Sequence, residues 1–242
     1  RWTTSTATAK DRRQYGHDRN SNRLYAENMI DSTRSELYSY DGFNQLLTMD
    51  RGTLNGGKTA ISGASSRSQV WDYDGLGNMD SVADNGGSPV TRGHNKQNEI
   101  TSITGASTPT YDANGNMLTD ETGKQFVSDA WNRLVIVKNS GGTTLATYAY
   151  DGRGFRIRET RSGTTTDLYY SSQWQVLEES VSGTAKISYV WSPVYVDALV
   201  ARDRDTDANG SLDERLYAIH DANFNVVALL DAGGAVVERF SY

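Results

Sequence analysis

Cysteine is absent from the 242 residues, so no disulfide and no thiolate metal ligand operates within them. Proline is scarce, at 3 residues beside 23 glycines, which excludes polyproline and collagen-like chains. Long apolar runs are missing as well. The longest are Leu134-Val135-Ile136-Val137 and Val226 to Leu230, far short of the ~20 residues that a membrane-spanning helix needs. Basic runs are equally short, none exceeding Asp11-Arg12-Arg13. Net charge is -6 and the isoelectric point is about 5.1. Non-specific nucleic-acid binding needs a positive field that displaces counterions, and this chain lacks one. An anionic membrane surface is disfavoured for the same reason. No signal peptide opens the chain, and residue 1 is Arg rather than Met, so the sequence reads as a fragment of a longer polypeptide.

What is present is polar but aromatic. Hydrophobic residues make up 36% and charged residues 22%, with a mean hydropathy of -0.62. Disordered chains are poor in aromatics, whereas this one holds 14 Tyr and 5 Trp. That combination suits strands with one wet face.

One phrase recurs. Tyr40-Asp41-Gly42-Phe43-Asn44-Gln45-Leu46, Tyr73-Asp74-Gly75-Leu76-Gly77-Asn78-Met79, Tyr111-Asp112-Ala113-Asn114-Gly115-Asn116-Met117 and Tyr150-Asp151-Gly152-Arg153-Gly154-Phe155-Arg156 are the clear copies. Degenerate copies start at His17, His94, Ser128, Tyr170 and His220, and the long last interval has room for another near Tyr189-Val190-Trp191. The array is irregular, with starts at 17, 40, 73, 94, 111, 128, 150, 170 and 220. Each phrase has a physical reading. An aromatic ends one strand. Asp caps backbone N–H groups in an Asx-turn. Gly or Asn supplies the positive φ of a tight hairpin, and an apolar residue starts the return strand. Flanks such as Leu145 to Tyr150 and Lys186 to Trp191 alternate as strands do. The sequence therefore predicts an all-β chain, an irregular array of β-hairpins paired edge to edge into one sheet. Residues 1–16 read as a lead-in strand and 17–242 as one continuous repeat module. Glu27 to Tyr38 is the only stretch read as a short helix, with Asp31 or Ser32 as its cap.

These copies resemble the YD-repeat family, which includes bacterial Rhs proteins, shell subunits of insecticidal toxin complexes, and animal teneurins. The resemblance runs from His17 to Tyr242, and Arg215 to Tyr242 resembles the start of the Rhs-associated core. It implies a β-strip spiralling around a large hollow shell that encloses a C-terminal toxin or effector of the same polypeptide. The segment itself would be non-catalytic, with the cargo and the flanking repeats as its partners and the parent protein secreted or on the cell surface. The alternative is an extracellular adhesion or surface-assembly module built on the same fold. Some members release the toxin at Asp-Pro motifs. Here the prolines follow Ser88, Thr108 and Ser192, so these residues should not self-cleave. Excised from its neighbours, the strip would expose strand edges and is expected to aggregate.

Other motifs compete with blander readings. Gly52-Thr53-Leu54-Asn55-Gly56-Gly57-Lys58-Thr59 fits the P-loop pattern. No helical periodicity follows it and no second acidic strand accompanies it, so a Gly-rich connector is the better reading. His17, His94 and His220 sit in the repeat's aromatic slot and read as tyrosine substitutes. Tyrosines and tryptophans at the repeat positions read as a cross-strand ladder rather than a carbohydrate-binding surface. Asp205, Asp207 and Asn209 before Gly210 match the first half of an EF-hand-like calcium loop, with Asp213 as a further ligand. Position twelve is Leu216 and not the bidentate Glu, so a solvated acidic hairpin tip is the competing reading. Calcium at these four residues is the sole cofactor expected.

Overall fold

The protein is described from a computed structural model, which places residues 2–3 and 9–240. The remainder of the expected lead-in, and the last two residues of the expected module, lie outside the described residues. Every regular element but one is a strand among the described residues, and the strands pair antiparallel with their chain neighbours. The chain forms two compact units, Arg1–Gly123 and Lys124–Tyr242, where the sequence predicts one continuous module.

The first unit opens with a two-stranded pair, β1 (Trp2–Thr3) and β2 (Ala9–Asp11). The lead-in is thus more than one strand. Its main sheet runs in strict chain order through β3 (Arg13–His17), β4 (Arg23–Asn28), β5 (Glu36–Tyr40), β6 (Leu46–Arg51), β7 (Arg67–Tyr73), β8 (Met79–Asp84), β9 (Val90–His94) and β10 (Ile100–Ile103). The hairpin β11 (Thr110–Tyr111) and β12 (Met117–Thr119) follows. The second unit repeats the plan with β13 (Gln125–Ser128), β14 (Leu134–Lys138), β15 (Thr144–Tyr150), β16 (Arg156–Arg161), β17 (Thr164–Tyr170), β18 (Val176–Val181), β19 (Thr184–Trp191), β20 (Leu199–Arg204), β21 (Glu214–His220), β22 (Val226–Leu230) and β23 (Val236–Arg239), each paired with the next. Within each unit sequence neighbours are space neighbours, so contacts are local and each hairpin leans on the one before it.

The helix expected over 27–38 is not formed. Strands β4 and β5 take its two ends, and Leu37 pairs with Tyr25 across them. One 3-10 turn, Ser32–Arg34, bridges the two, and Asp31 caps it by accepting the Thr33 N–H. The cap is where the sequence puts it. Strand pairing wins because Leu37 and Tyr25 gain cross-strand neighbours that an isolated helix of this length cannot supply.

Burial is sparse. Among the described residues thirteen hydrophobic side chains are buried, and seven of them lie between Ala201 and Leu229. In the second unit Leu216, Ala218 and Leu229 form one cluster, and Ile219, Val227 and Ala228 form another. The accessible surface is 14357 Å². A compact globule of this mass exposes about 10,700 Å², and two separate half-mass globules about 12,900 Å². The sheet therefore carries more open surface than a self-contained core would leave.

Candidate functional site

The repeat phrase is the chemistry-bearing feature of the chain, and its seven positions map onto one turn. Position 1 is the last residue of a strand in every copy, from His17 and Tyr40 to Tyr170 and His220. Position 7 is the first residue of the next strand, from Arg23 and Leu46 to Val176 and Val226. Between them the N–H of position 2 donates to the carbonyl of position 6, as in Asp41 to Gln45 and Asp151 to Phe155. The N–H of position 5 returns to the carbonyl of position 2. This is a three-residue hairpin loop with a bulge, whose fifth position must be left-handed.

The Asp side chain closes the loop. Oδ1 of Asp112 accepts the N–H groups of Asn114 and Asn116 at 2.8 and 2.9 Å, and Oδ2 takes the Asn116 amide at 2.8 Å. Asp18, Asp74 and Asp221 repeat all three bonds. At Asp129 the Arg133 guanidinium replaces the amide at 2.8 Å. These bonds favour the ionised carboxylate. The Asn116 amide holds Asp112 below its ordinary value, as Asn22 does for Asp18 and Arg133 for Asp129. A depressed folded-state value stabilises the fold above the unfolded pKa of 3.8, and the contribution is lost as pH falls through the folded value. The melting midpoint is accordingly expected to drop below that pH, and Asp112→Asn should remove this copy's share of the drop, because Asn95 already caps its own turn as a neutral amide.

Position 5 is left-handed in all these copies: Gly77, Gly115 and Gly154 are at φ 86, 82 and 88, and Asn44, Asn98 and Asn132 lie near 60. Three copies break the residue rule while keeping the backbone, the first with Ser21 at φ 69. Trp174 is at φ 70 and Phe224 at φ 62, conformations that bulky side chains adopt only under constraint. Each finds a ring: Trp174 sits edge-on to Phe155 at 4.3 Å, and Phe224 stacks on Tyr195 at 4.5 Å.

The aromatic at position 1 does something that the sequence does not announce. Its polar tip reaches back to position 7 of the preceding copy. The Tyr40 hydroxyl donates to the Arg23 carbonyl at 3.0 Å, Tyr73 to Leu46 at 2.9 Å, Tyr150 to Leu134 at 2.7 Å and Tyr170 to Arg156 at 2.9 Å. Tyr111 accepts from the Ile100 N–H at 3.2 Å. Trp191 makes the same reach with its indole N–H, to the Val176 carbonyl at 2.7 Å. That bond marks the extra copy expected near Tyr189 to Trp191, whose turn is the longer Ser192–Ala198 loop. Each aromatic is thus a staple between successive hairpin tips.

The P-loop lookalike is a turn: Asn55 caps Lys58 and Thr59, and Leu54 bridges Ile61. Lys58 pairs with Glu27, so this connector presents no phosphate cradle. The acidic loop joins β20 to β21. Asp205 accepts the Gly210 N–H at 3.0 Å and pairs with Lys186 at 2.5 Å. Asp207 and Asn209 cap N–H groups within the tip, and Asp213 accepts the Thr206 N–H and hydroxyl, each at 2.9 Å. The four side chains share one loop, but each is occupied by its own partner, and a calcium ion would have to compete with Lys186 for Asp205.

No family model matches the chain. Among curated proteins it is similar to the tRNA3(Ser)-specific nuclease WapA of Bacillus spizizenii, 27% identical over 177 residues, and to the tRNA nuclease WapA of Bacillus subtilis strain 168, 29% identical over 180 residues. Each match covers 71% of this chain and 7% of the relative. Among solved structures, the Tc holotoxin pore of Photorhabdus luminescens superposes on 98% of this chain with a TM-score of 0.73 at 15% identity. In its repeat and its fold the chain is similar to YD-repeat segments of the Rhs type. A crystal structure of TcdB2-TccC3 agrees, with a TM-score of 0.73 over 98% of this chain at 15% identity. The chain spans 13 to 14% of those chains. At such identity the shared property is the fold: an open antiparallel sheet grown hairpin by hairpin.

Proposed function

We propose that this chain is a segment of an Rhs-type YD-repeat protein and wall material of a toxin shell, encapsulating and helping to deliver a toxin or effector carried by the same polypeptide, and that it is not itself catalytic. The observation that carries this reading is the superposition of nearly the whole chain on a Tc toxin component. The surface supports it. Phe43, Leu76 and Trp131, at position 4 of their turns, are 86%, 76% and 75% exposed, so the repeat presents large side chains at its turn tips, where a flanking part of the parent polypeptide would pack in the proposed shell. The nuclease activity named for the WapA relatives would then belong to residues outside the matched stretch, and the parent protein would work outside the cell that makes it. Limited proteolysis of the parent polypeptide tests the reading. A C-terminal fragment protected until the particle is denatured supports it, and a fragment cut at the rate of free chain opposes it. The calcium reading has its own test. Coordination by Asp205, Asp207, Asn209 and Asp213 raises the melting midpoint when calcium is added, and an unchanged midpoint assigns the four to loop closure alone.

A further inference from the structure

The copy beginning at His94 lacks the phenol that staples its neighbours, and the structure puts something else there. His94 ends β9 in the aromatic slot. Its side chain is only 8% exposed, yet its buried Nδ1 has no hydrogen-bond partner. The Asp80 carboxylate faces it at 4.0 Å, too far for a hydrogen bond. Asp80 immediately follows Met79, the position 7 residue whose carbonyl a tyrosine here would reach. Asp74, at position 2 of the same preceding copy, completes a group whose three ligand atoms all lie within 4.8 Å of one another.

We infer that Asp74, Asp80 and His94 form a binding site for a divalent transition metal of the zinc class, which takes the place of the missing tyrosine staple. The donor set is one imidazole nitrogen and two carboxylates, which suits zinc and leaves a position for water. Donor atoms around a tetrahedral zinc lie about 3.4 Å apart, so the cluster must contract by only part of an ångström to a little over one. Asp80 can supply that movement: its side chain is 48% exposed, and His94 is the one group it faces at ion-pair distance among the described residues. Asp74 is held in place by the Leu76 and Asn78 N–H groups on Oδ1 and by the Asn78 amide on Oδ2. A carboxylate offers four lone-pair sites, so one on Oδ2 stays available. The nearby Arg92, two residues before His94, turns onto the Met79 sulfur at 3.4 Å rather than onto either carboxylate. His17 and His220 fill the same slot in other copies, but neither belongs to such a cluster among the described residues. A metal here would tie hairpin 94 to hairpin 73, as phenols tie the copies around them.

The test is a calorimetric titration of zinc alone into the full chain, with cobalt(II) absorbance reporting the coordination. The expected result is one equivalent bound, lost in His94→Tyr and weakened roughly tenfold or more in Asp80→Asn. His17→Ala and His220→Ala should leave the stoichiometry unchanged. His94→Tyr restores the residue found at most of the repeat's other slots, so it should melt no lower than the metal-free wild type. Unaltered zinc binding in that variant, or no saturable binding by the wild type, overturns the assignment.

Discussion

Replacing Tyr40, Tyr73, Tyr150 and Tyr170 together by phenylalanine is expected to destabilise each compact unit by about 2 kcal/mol. Two of the four phenols staple tips in each unit, and an intramolecular hydrogen bond contributes about 1 kcal/mol net. The four bonds share no partner atom, so their losses should add. For units of this size the melting midpoint falls by about 8 °C. Trp71 reports on the first unit by fluorescence, and Trp131, Trp174 and Trp191 on the second. The result also decides what the tyrosines are for. Were their hydroxyls held outward for a carbohydrate, removing them would change stability by less than about 0.5 kcal/mol each, as exposed substitutions do. Alkali should act in the same direction. Burial pushes the Tyr73 and Tyr150 phenols above their ordinary value of 10.0. A raised folded-state pKa contributes stability that is complete below the unfolded value and is lost as pH rises through the folded one.

Leu216→Ala should cost the second unit about 2–5 kcal/mol, at least as much as losing both phenol staples of that unit. Leu216 is 3% exposed and packs with Ala218 and Leu229, with Leu199, Val226 and Phe240 around them. Removing its branched end leaves a cavity against neighbours held by strand pairing on both sides, Arg202 on β20 and the β21–β22 ladder. Most positions of the sheet are half-buried, so the same truncation elsewhere gives less: Leu177, 41% exposed on β18, should lose under about 1 kcal/mol. Urea midpoints of the two variants, read through the three tryptophans of this unit, compare the two costs directly.

The turn was legible in the sequence because its chemistry is local. Asp at position 2 and Gly or Asn at position 5 are dictated by backbone geometry within one phrase, and the strands stop and restart where those residues say. The staple was not legible, because the carbonyl that Tyr150 reaches belongs to Leu134, in the preceding copy. The aromatic can be read from the chain, but only the pairing of β14 with β15 supplies its partner. The same limit hid the cluster at His94: Asp74, Asp80 and His94 belong to two different copies and meet only through the β8–β9 pair. Trp174 and Phe224 were obscure for the opposite reason. Their local rule is broken, and ring contacts with Phe155 and Tyr195 compensate. The stretch from Glu27 to Tyr38 reads as helix by composition, yet Tyr25 and Leu37 gain more from each other across a strand pair than the backbone gains from a helical turn.

The proposed role makes these stapled hairpins the wall of a closed particle. Electron cryomicroscopy of the complete parent polypeptide tests it most directly. The predicted result is a hollow β-shell in which residues 17–240 run as one stretch of wall, hairpin beside hairpin, around enclosed density. An open or filamentous assembly with nothing inside would contradict it.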